Sequence, residues 1–251
     1  MVRVDIPIEG LKYLSTAVKV LDSFSNYITI SRSYLMVSQI DGSHTKAIHL
    51  VIPTGSGRSR SKTYEYDAYQ LQRAIDNILS NCKNGTFIET DKEDDREVMI
   101  IGGYDGDVLI TMEVDISESD YKGMRLDRIK PRYYIRLEPK KLVSIFKPFT
   151  RQERFSELHI IRERGKLYIE TYDDYIIGNR TRVYIPSEVK YNIPMGTYRF
   201  RIVLAKDLIT LSKLSGVEEV IIRLDLNYPL KAIFNNKHGF TLEYYLAPKS
   251  I

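Results

Sequence analysis

The densest collection of reactive side chains in this sequence is acidic: Glu89, Asp91, Glu93, Asp94, Asp95 and Glu97 fall within a few residues of one another. Carboxylates converging on one or two divalent ions would suit a metal-dependent DNA-processing enzyme. The surrounding pattern predicts a single hairpin loop, however, and a solvated turn accounts for the same residues. Asp105-Gly106-Asp107 lacks the length and spacing of a calcium loop. Gly55-Ser56-Gly57 lacks the spacing of a phosphate-binding P-loop, so nucleotide hydrolysis has no support. His44, His49, His159 and His238 are scattered rather than spaced as metal ligands, and the lone Cys82 has no evident His partner. The expectation is a protein that is not an enzyme, with no catalytic residues, no metal and no cofactor.

The basic residues are arranged more regularly. Lys12 and Lys19, Lys140 and Lys147, and Lys206 and Lys213 are each seven residues apart, almost two helical turns, which puts each pair on one side of a helix. Ammonium groups on rigid helices lack the planar geometry that reads base edges, and they suit the phosphate backbone. Such contact is independent of sequence and sensitive to salt. Arg73 and Lys83 add to the set, although Asp76 lies close by. An ordinary solvated helix face would carry lysines in the same way, and a net charge of +4 does not decide between the two readings.

These cations need helices to hold them, and four segments have the helical period. Leu11, Leu14, Val18 and Leu21 form one apolar stripe. Ala68, Leu71, Ile75 and Ile78 form a second, with Asp67 as N-cap. Leu142, Ile145 and Phe149 form a shorter third, started by Pro139 and disturbed near Pro148. Leu204, Leu208, Leu211 and Leu214 form a fourth, stopped by Gly216. The rest alternates as short strands between turn residues, with tight turns expected at Asn84-Gly85 and across Gly102–Gly106. The strands do not alternate with helices as in a parallel sheet, so antiparallel sheets are predicted.

The pattern is stated twice. Tyr27–Pro53 and Glu157–Pro186 each read as strand, turn, strand, polar loop and strand ending in Ile-Pro, and each follows an amphipathic segment, Gly10–Asp22 or Pro139–Thr150. A chain of 251 residues therefore reads as two similar halves of roughly 120 residues. Ser117–Arg132 between them is polar, contains Gly123 and Pro131, and is expected to be an extended connector, with Met124, Leu126 and Ile129 packing back on the body. Thr54–Lys62 reads as an exposed loop. The division expected is residues 1–117, a connector at 118–132, and 133–251. With 43% hydrophobic and 28% charged residues the composition is that of a folded protein, and no run approaches a membrane span. The opening Met1–Gly10 alternates like a strand rather than a secretory signal, and a single cysteine fits a reducing compartment.

Two strings carry a resemblance. Tyr228-Pro229-Leu230, then Gly239-Phe240-Thr241-Leu242-Glu243-Tyr244-Tyr245-Leu246-Ala247-Pro248-Lys249, closely resembles the C-terminus of sliding clamps of the PCNA family. Asp41-Gly42-Ser43-His44 before an alternating strand resembles that family's first-domain motif, and the two-half layout matches across the whole chain. Composition rich in Ile, Lys, Arg and Tyr is compatible with the archaeal type. The resemblance implies an α+β fold of two similar clamp domains, each with antiparallel sheets and two helices, assembling into a trimeric ring whose helices line a hole around duplex DNA. It implies a processivity factor for DNA polymerase, acting in replication and repair, as a homotrimer or a heterotrimer of related subunits. The DNA-facing residues would be Lys12, Lys19, Arg73, Lys83, Lys140, Lys147, Lys206 and Lys213. Peptide tails of a polymerase, flap nuclease or DNA ligase would bind at Ile40, His44, Leu126, Ile129, Pro229, Leu246, Ala247 and Pro248, and an ATP-dependent loader would open the ring. The cell compartment would be the cytoplasm or nucleoid for an archaeal chain and the nucleus for a eukaryotic one. A clamp-like damage or checkpoint ring subunit is the alternative. The connector departs from the family: Lys122, Arg125, Arg128, Lys130 and Arg132 make it basic where familiar clamps are acidic.

Overall fold

The computed structural model describes residues 2–21, 25–41, 43, 45–55, 61–93, 96–121, 126–151, 157–172, 180–226 and 228–249. The chain divides into two compact units, Met1–Leu126 with Gly239–Leu242, and Asp127–His238 with Glu243–Ile251.

The first unit contains β1 (Val2–Asp5), α1 (Ile8–Leu21), β2 (Ser25–Ile30), β3 (Tyr34–Ile40), β4 (Lys46–Pro53), β5 (Lys62–Asp67), α2 (Ala68–Asn81), β6 (Asn84–Glu93), β7 (Arg96–Asp105) and β8 (Val108–Glu118). Its strands run in the order β1-β6-β7-β8-β5-β2-β3-β4, and each neighbouring pair is antiparallel. Alternation decides which side chains enter the core: Leu35 and Val37 of β3 and Ile48, Leu50 and Ile52 of β4 are fully buried. The helices pack on the sheet and on each other. Leu11, Leu14 and Leu21 of α1, and Leu71, Ala74, Ile75 and Ile78 of α2, form their buried stripes. Burying each large aliphatic side chain contributes about 1.5–3 kcal/mol. Asp67 caps α2 as predicted, accepting the Gln70 amide at 2.7 Å. Tyr13 is fully buried with its ring edge-on to Phe240 at 5.1 Å, which seats Phe240 in this unit, and burial pushes the Tyr13 hydroxyl up to about 12.

Two local expectations are corrected here. Gly102 and Gly103 lie inside β7, and the turn is confined to Gly106 and Asp107, with Gly106 at φ 60°. The glycines are there because a Cβ on Gly102 would stand 2.3 Å from the Phe87 ring, and one on Gly103 would stand 2.9 Å from Cys82 Cβ. The acidic group is also not one loop. Glu89 and Asp91 belong to β6 and Glu97 to β7, in a ladder that continues to Glu93↔Arg96. Asp94 and Asp95 lie outside the described residues.

The second unit contains β9 (Tyr133–Leu137), α3 (Pro139–Phe146), β10 (Glu157–Glu163), β11 (Lys166–Tyr172), β12 (Arg182–Tyr184), β13 (Tyr191–Asn192), β14 (Gly196–Arg201), α4 (Val203–Ser212), β15 (Val217–Leu224), β16 (Leu230–Asn236) and β17 (Thr241–Leu246), of which Thr241 and Leu242 count with the first unit. One sheet is four-stranded, β12-β11-β10-β14, and the other runs β17-β16-β15-β9-β13. The repeat read from the sequence is visible in the connectivity: β14-β10-β11-β12 repeats β5-β2-β3-β4, and β9-β15-β16-β17 repeats β1-β6-β7-β8. Arg164 and Gly165, both at positive φ, make the two-residue β10–β11 hairpin turn. Helices α3 and α4 pack on each other, α3 against β15 and α4 against β16. α3 ends at Phe146 and gives way to a tighter 3-10 turn, Lys147–Arg151, because Pro148 cannot donate to an α-helical ladder.

Candidate functional site

In the first unit Lys12 and Lys19 are exposed on α1, on the side away from Leu11, Leu14 and Val18. Lys19 is engaged: its Nζ lies 3.3 Å from Asp76 Oδ2 of α2. Asp76 also accepts from Ser15 Oγ at 3.2 Å and from Gln72 Nε2 at 2.8 Å. The Lys19 and Ser15 bonds tie the two helices together beside their apolar seam, and the Gln72 bond holds Asp76 from within α2. Lys83, just beyond α2, is 3.8 Å from Asp105, a loose and exposed pair that contributes little. Arg73 and Lys12 are exposed and lack an acidic partner among the described residues.

In the second unit Lys140, Lys147, Lys206 and Lys213 are all exposed, again without an acidic partner among the described residues. The helices are shorter than the seven-residue spacing requires. Lys147 is the C-cap of α3 and Lys213 the C-cap of α4, so only the Lys12–Lys19 pair lies wholly within one helix. Pro148 and the Leu214–Gly216 turn stop the helices early, and the cations gain the favourable C-terminal end of the helix dipole. Each unit thus has two packed helices with buried apolar stripes and exposed, mostly uncompensated cations. Such a face can hold phosphates electrostatically and has no means of reading bases.

The residues expected to take a partner peptide fall into both units. Ile40 closes β3, half-buried. Asp41 follows it, and its carboxylate accepts from Thr45 N at 2.7 Å, Lys46 N at 2.8 Å and Ser43 Oγ at 2.6 Å. Burial works against the charged form, but these hydrogen bonds outweigh it and hold Asp41 below the ordinary carboxylate value. His44 lies outside the described residues, as do Lys122, Gly123, Met124 and Arg125. Tyr121, at the entry to the connector, stacks on Tyr27 with centroids 4.1 Å apart. Leu126 is buried and opens a 3-10 turn, Leu126–Arg128.

In the second unit the antiparallel registers bring several of these residues to one end of a sheet. Tyr133↔Leu224 and Leu230↔Leu246 are terminal pairs. The segment before β9, the β15–β16 loop and the tail after β17 therefore leave the sheet at the same end. That end carries Ile129, Pro229, Ala247 and Pro248, all half-buried. Leu246 is fully buried in β17 and acts as core there. Sequence reading quoted Tyr228 only within a family string and missed Asp225, which organises this end, and its exposed neighbour Leu226. The available signal was a lone carboxylate directly after an apolar strand.

Two sheet edges are open. β8 pairs with β5 only over Ile116–Glu118, so Val108–Asp115 has a strand neighbour on one side only among the described residues. Val108 and Leu109 are 62% and 50% exposed there. β12 is an edge of its own sheet, with Tyr184 52% exposed. Among the described residues no group of three or more His, Cys, Asp or Glu is placed to hold a metal, and no helix is long and apolar enough to cross a membrane. Glu89 is spoken for by Arg3 at 3.8 Å.

The duplicated arrangement of antiparallel sheets and packed helix pairs is the sliding-clamp fold. The chain matches the crystal structure of proliferating cellular nuclear antigen from Entamoeba histolytica with a TM-score of 0.75, at 16% identity, covering 99% of this chain and 98% of that one. It matches the PCNA2–PCNA3 complex from Sulfolobus tokodaii with a TM-score of 0.74, at 14% identity, covering 99% of both chains. No protein-family model and no curated protein matches the sequence. At these identities the likeness is one of fold.

Proposed function

We propose that the chain is a subunit of a DNA sliding clamp, a ring that encloses duplex DNA and tethers a polymerase and other replication and repair enzymes to it. The observation that carries this reading is that each helix pair, on a clamp fold matched over 99% of the chain, presents cations that no described carboxylate neutralises. Residues 1–117 and 133–251 act as two clamp domains joined by 118–132. Lys12, Arg73, Lys140, Lys147, Lys206 and Lys213 face the phosphates, with Lys19 and Lys83 contributing less because Asp76 and Asp105 share their charge. Diffuse attraction of this kind lets a ring slide, because no base pair is preferred over the next.

The open edges of β8 and β12 support closure of the ring, since an unpaired strand edge is a template for another strand. Pairing β8 of one copy with β12 of the next would bury Leu109 and Tyr184. The Sulfolobus tokodaii structure contains two different clamp chains, so a mixed ring of related subunits belongs to the same reading. The ring acts by topology and local concentration: a partner bound to it cannot diffuse from the template. It performs no catalysis and needs no cofactor, and an ATP-dependent loader places it on DNA. Polymerase, flap nuclease and ligase tails dock near the connector.

Light scattering over a concentration series tests assembly. A mass of three times 29.2 kDa identifies a self-sufficient ring. A persistent monomer or dimer directs the search to sister subunits. Retention on circular DNA and loss on linearisation then test encirclement, and equal retention on both would overturn it.

A further inference from the structure

Tethering leaves one face of the second unit's four-stranded sheet without a role. Leu158, Ile160 and Phe200 are buried on one side of it, and alternation turns His159, Glu170, Arg182 and Arg199 to the other. The registers Arg182↔Glu170, His159↔Glu170 and His159↔Arg199 set these four in one row across β12, β11, β10 and β14. The row lines a cleft of about 600 Å³, a size that suits a small ligand. Glu170 is 1% exposed, and a carboxylate so buried needs partners. It has two guanidinium groups. Arg180 Nη2 donates to Oε1 at 2.9 Å, and Arg182 Nε donates to Oε2 at 2.9 Å. Arg182 also lies over the Tyr168 ring, 4.3 Å from its centroid. One buried negative charge thus holds two arginines side by side, with their remaining N–H groups set before any ligand arrives.

The other carboxylates of the cleft are also paired. Glu157 takes Lys249 and lies 2.7 Å from His159 Nε2. Glu163 accepts from the Tyr168 hydroxyl at 3.2 Å and lies 3.7 Å from Arg164. Arg199 is exposed and has no acidic partner among the described residues. Among those residues Arg164, Arg180, Arg182, Arg199 and Lys249 stand against Glu157, Glu163 and Glu170, an excess of two positive charges without counting His159. Arg182 leans one strand toward Arg199, onto Glu170 of β11, so only the His159 position separates the two in the row.

We propose that this cleft binds a phosphoryl dianion, free or at the end of a small ester, between the Arg180–Arg182 pair and Arg199. The charge of the group matches the excess, and the planar fork of an arginine takes two phosphate oxygens at once. Glu170 is a positioning residue that acts through the pair. The inference stands apart from the clamp reading and uses none of the DNA-facing lysines.

The test is calorimetric titration of the full chain with inorganic phosphate and with glycerol 2-phosphate, at constant ionic strength and about pH 8, where both are dianions. Phosphate at about ten times its Kd should also raise the melting temperature by roughly 3 °C. Arg199→Ala and Arg180→Ala should each weaken binding about tenfold. Lys92→Ala, at an exposed lysine of the first unit, should leave it unchanged. Arg199 touches no acidic partner among the described residues, so an unchanged melt without phosphate confirms that its variant folds. Glu170→Gln makes the cleft more positive and yet should weaken binding, because the arginine pair loses its holder; tighter binding there would overturn the positioning role. Tighter binding of glycerol 2-phosphate than of phosphate assigns the cleft to an ester, and equal or weaker binding assigns it to the free ion. No binding of either, binding that survives both arginine variants, or an equal loss in Lys92→Ala overturns the proposal.

Discussion

Arg132 Nε donates to Asp225 Oδ2 at 2.8 Å, joining the residue before β9 to the residue after β15. The bond holds Asp225 below its ordinary value of 3.8; burial opposes the shift, and the Leu226 amide adds to it. A carboxyl depressed in the fold binds fewer protons there than in the unfolded chain, so its stabilisation is present above the unfolded value and lost as the pH falls through the folded one. Arg132→Met removes the partner and leaves Asp225 buried. At about pH 7 its melting temperature should drop by roughly 2–4 °C. The gap from the parent should close as the pH is taken below 3.8 and through the folded value. A gap that stays constant down to acid pH would mean that the ion pair does not stabilise the fold.

Of the described glycines, Gly102 has the least room for a side chain. A methyl group there meets the Phe87 ring at 2.3 Å, and Phe87 is itself buried under the Arg3 guanidinium at 3.7 Å. Because the ring is buried and the approach far below van der Waals contact, Gly102→Ala should destabilise by about 1–3 kcal/mol, the usual cost of overpacking. Denaturant unfolding measures it. The control is Gly106→Ala: the added methyl meets nothing within 4 Å, and only the positive φ is strained.

Gly102 also marks where sequence reading stops. A Gly-Gly in an alternating run looks like a turn, and only the partner strand reveals that a phenylalanine occupies the missing side chains' place. Helix positions were legible because Leu71, Ala74, Ile75 and Ile78 obey a local period, and the Asp67 cap acts within one turn. Helix ends were less so: seven-residue spacing suggested that Lys140–Lys147 and Lys206–Lys213 were helix-internal pairs, whereas Pro148 and Gly216 end those helices one residue too soon. Ion pairs such as Lys19–Asp76 are legible only as a possibility, because they depend on how two helices pack. Asp225 stood out only as a carboxylate after an apolar strand, and its pairing was not legible because its partner lies 93 positions away.

That difference between engaged and free cations makes a graded prediction for DNA. If Lys206 contacts phosphate, Lys206→Ala should reduce the slope of log affinity against log salt by about 0.9. Lys83→Ala should change it less, because Asp105 already shares its charge. Asp76→Asn goes the other way: it frees Lys19 and should tighten binding modestly, by about twofold. Nitrocellulose or polarisation titrations over a salt series, with unrelated duplexes, give the slopes. Slopes that are the same in all three variants would remove these helix faces from the interface.

The open strand edge makes the last prediction. Leu109 is 50% exposed on the part of β8 that has a neighbour on one side only, and burying a leucine at a contact contributes about 1.5–3 kcal/mol. Leu109→Glu replaces that gain with the cost of desolvating a carboxylate, while leaving the β7–β8 ladder and the core intact. The monomer should melt as the parent does. Its self-association, or its association with a sister subunit, should weaken at least about tenfold, seen by light scattering as a shift toward 29.2 kDa at a given concentration. Tyr184→Glu on β12 should do the same, and mixing the two variants separates the alternatives. In a β8-to-β12 contact, each variant retains one intact edge, so the mixture can form a single junction and stop at a dimer. If either variant assembles as the parent does, these edges are not where copies meet.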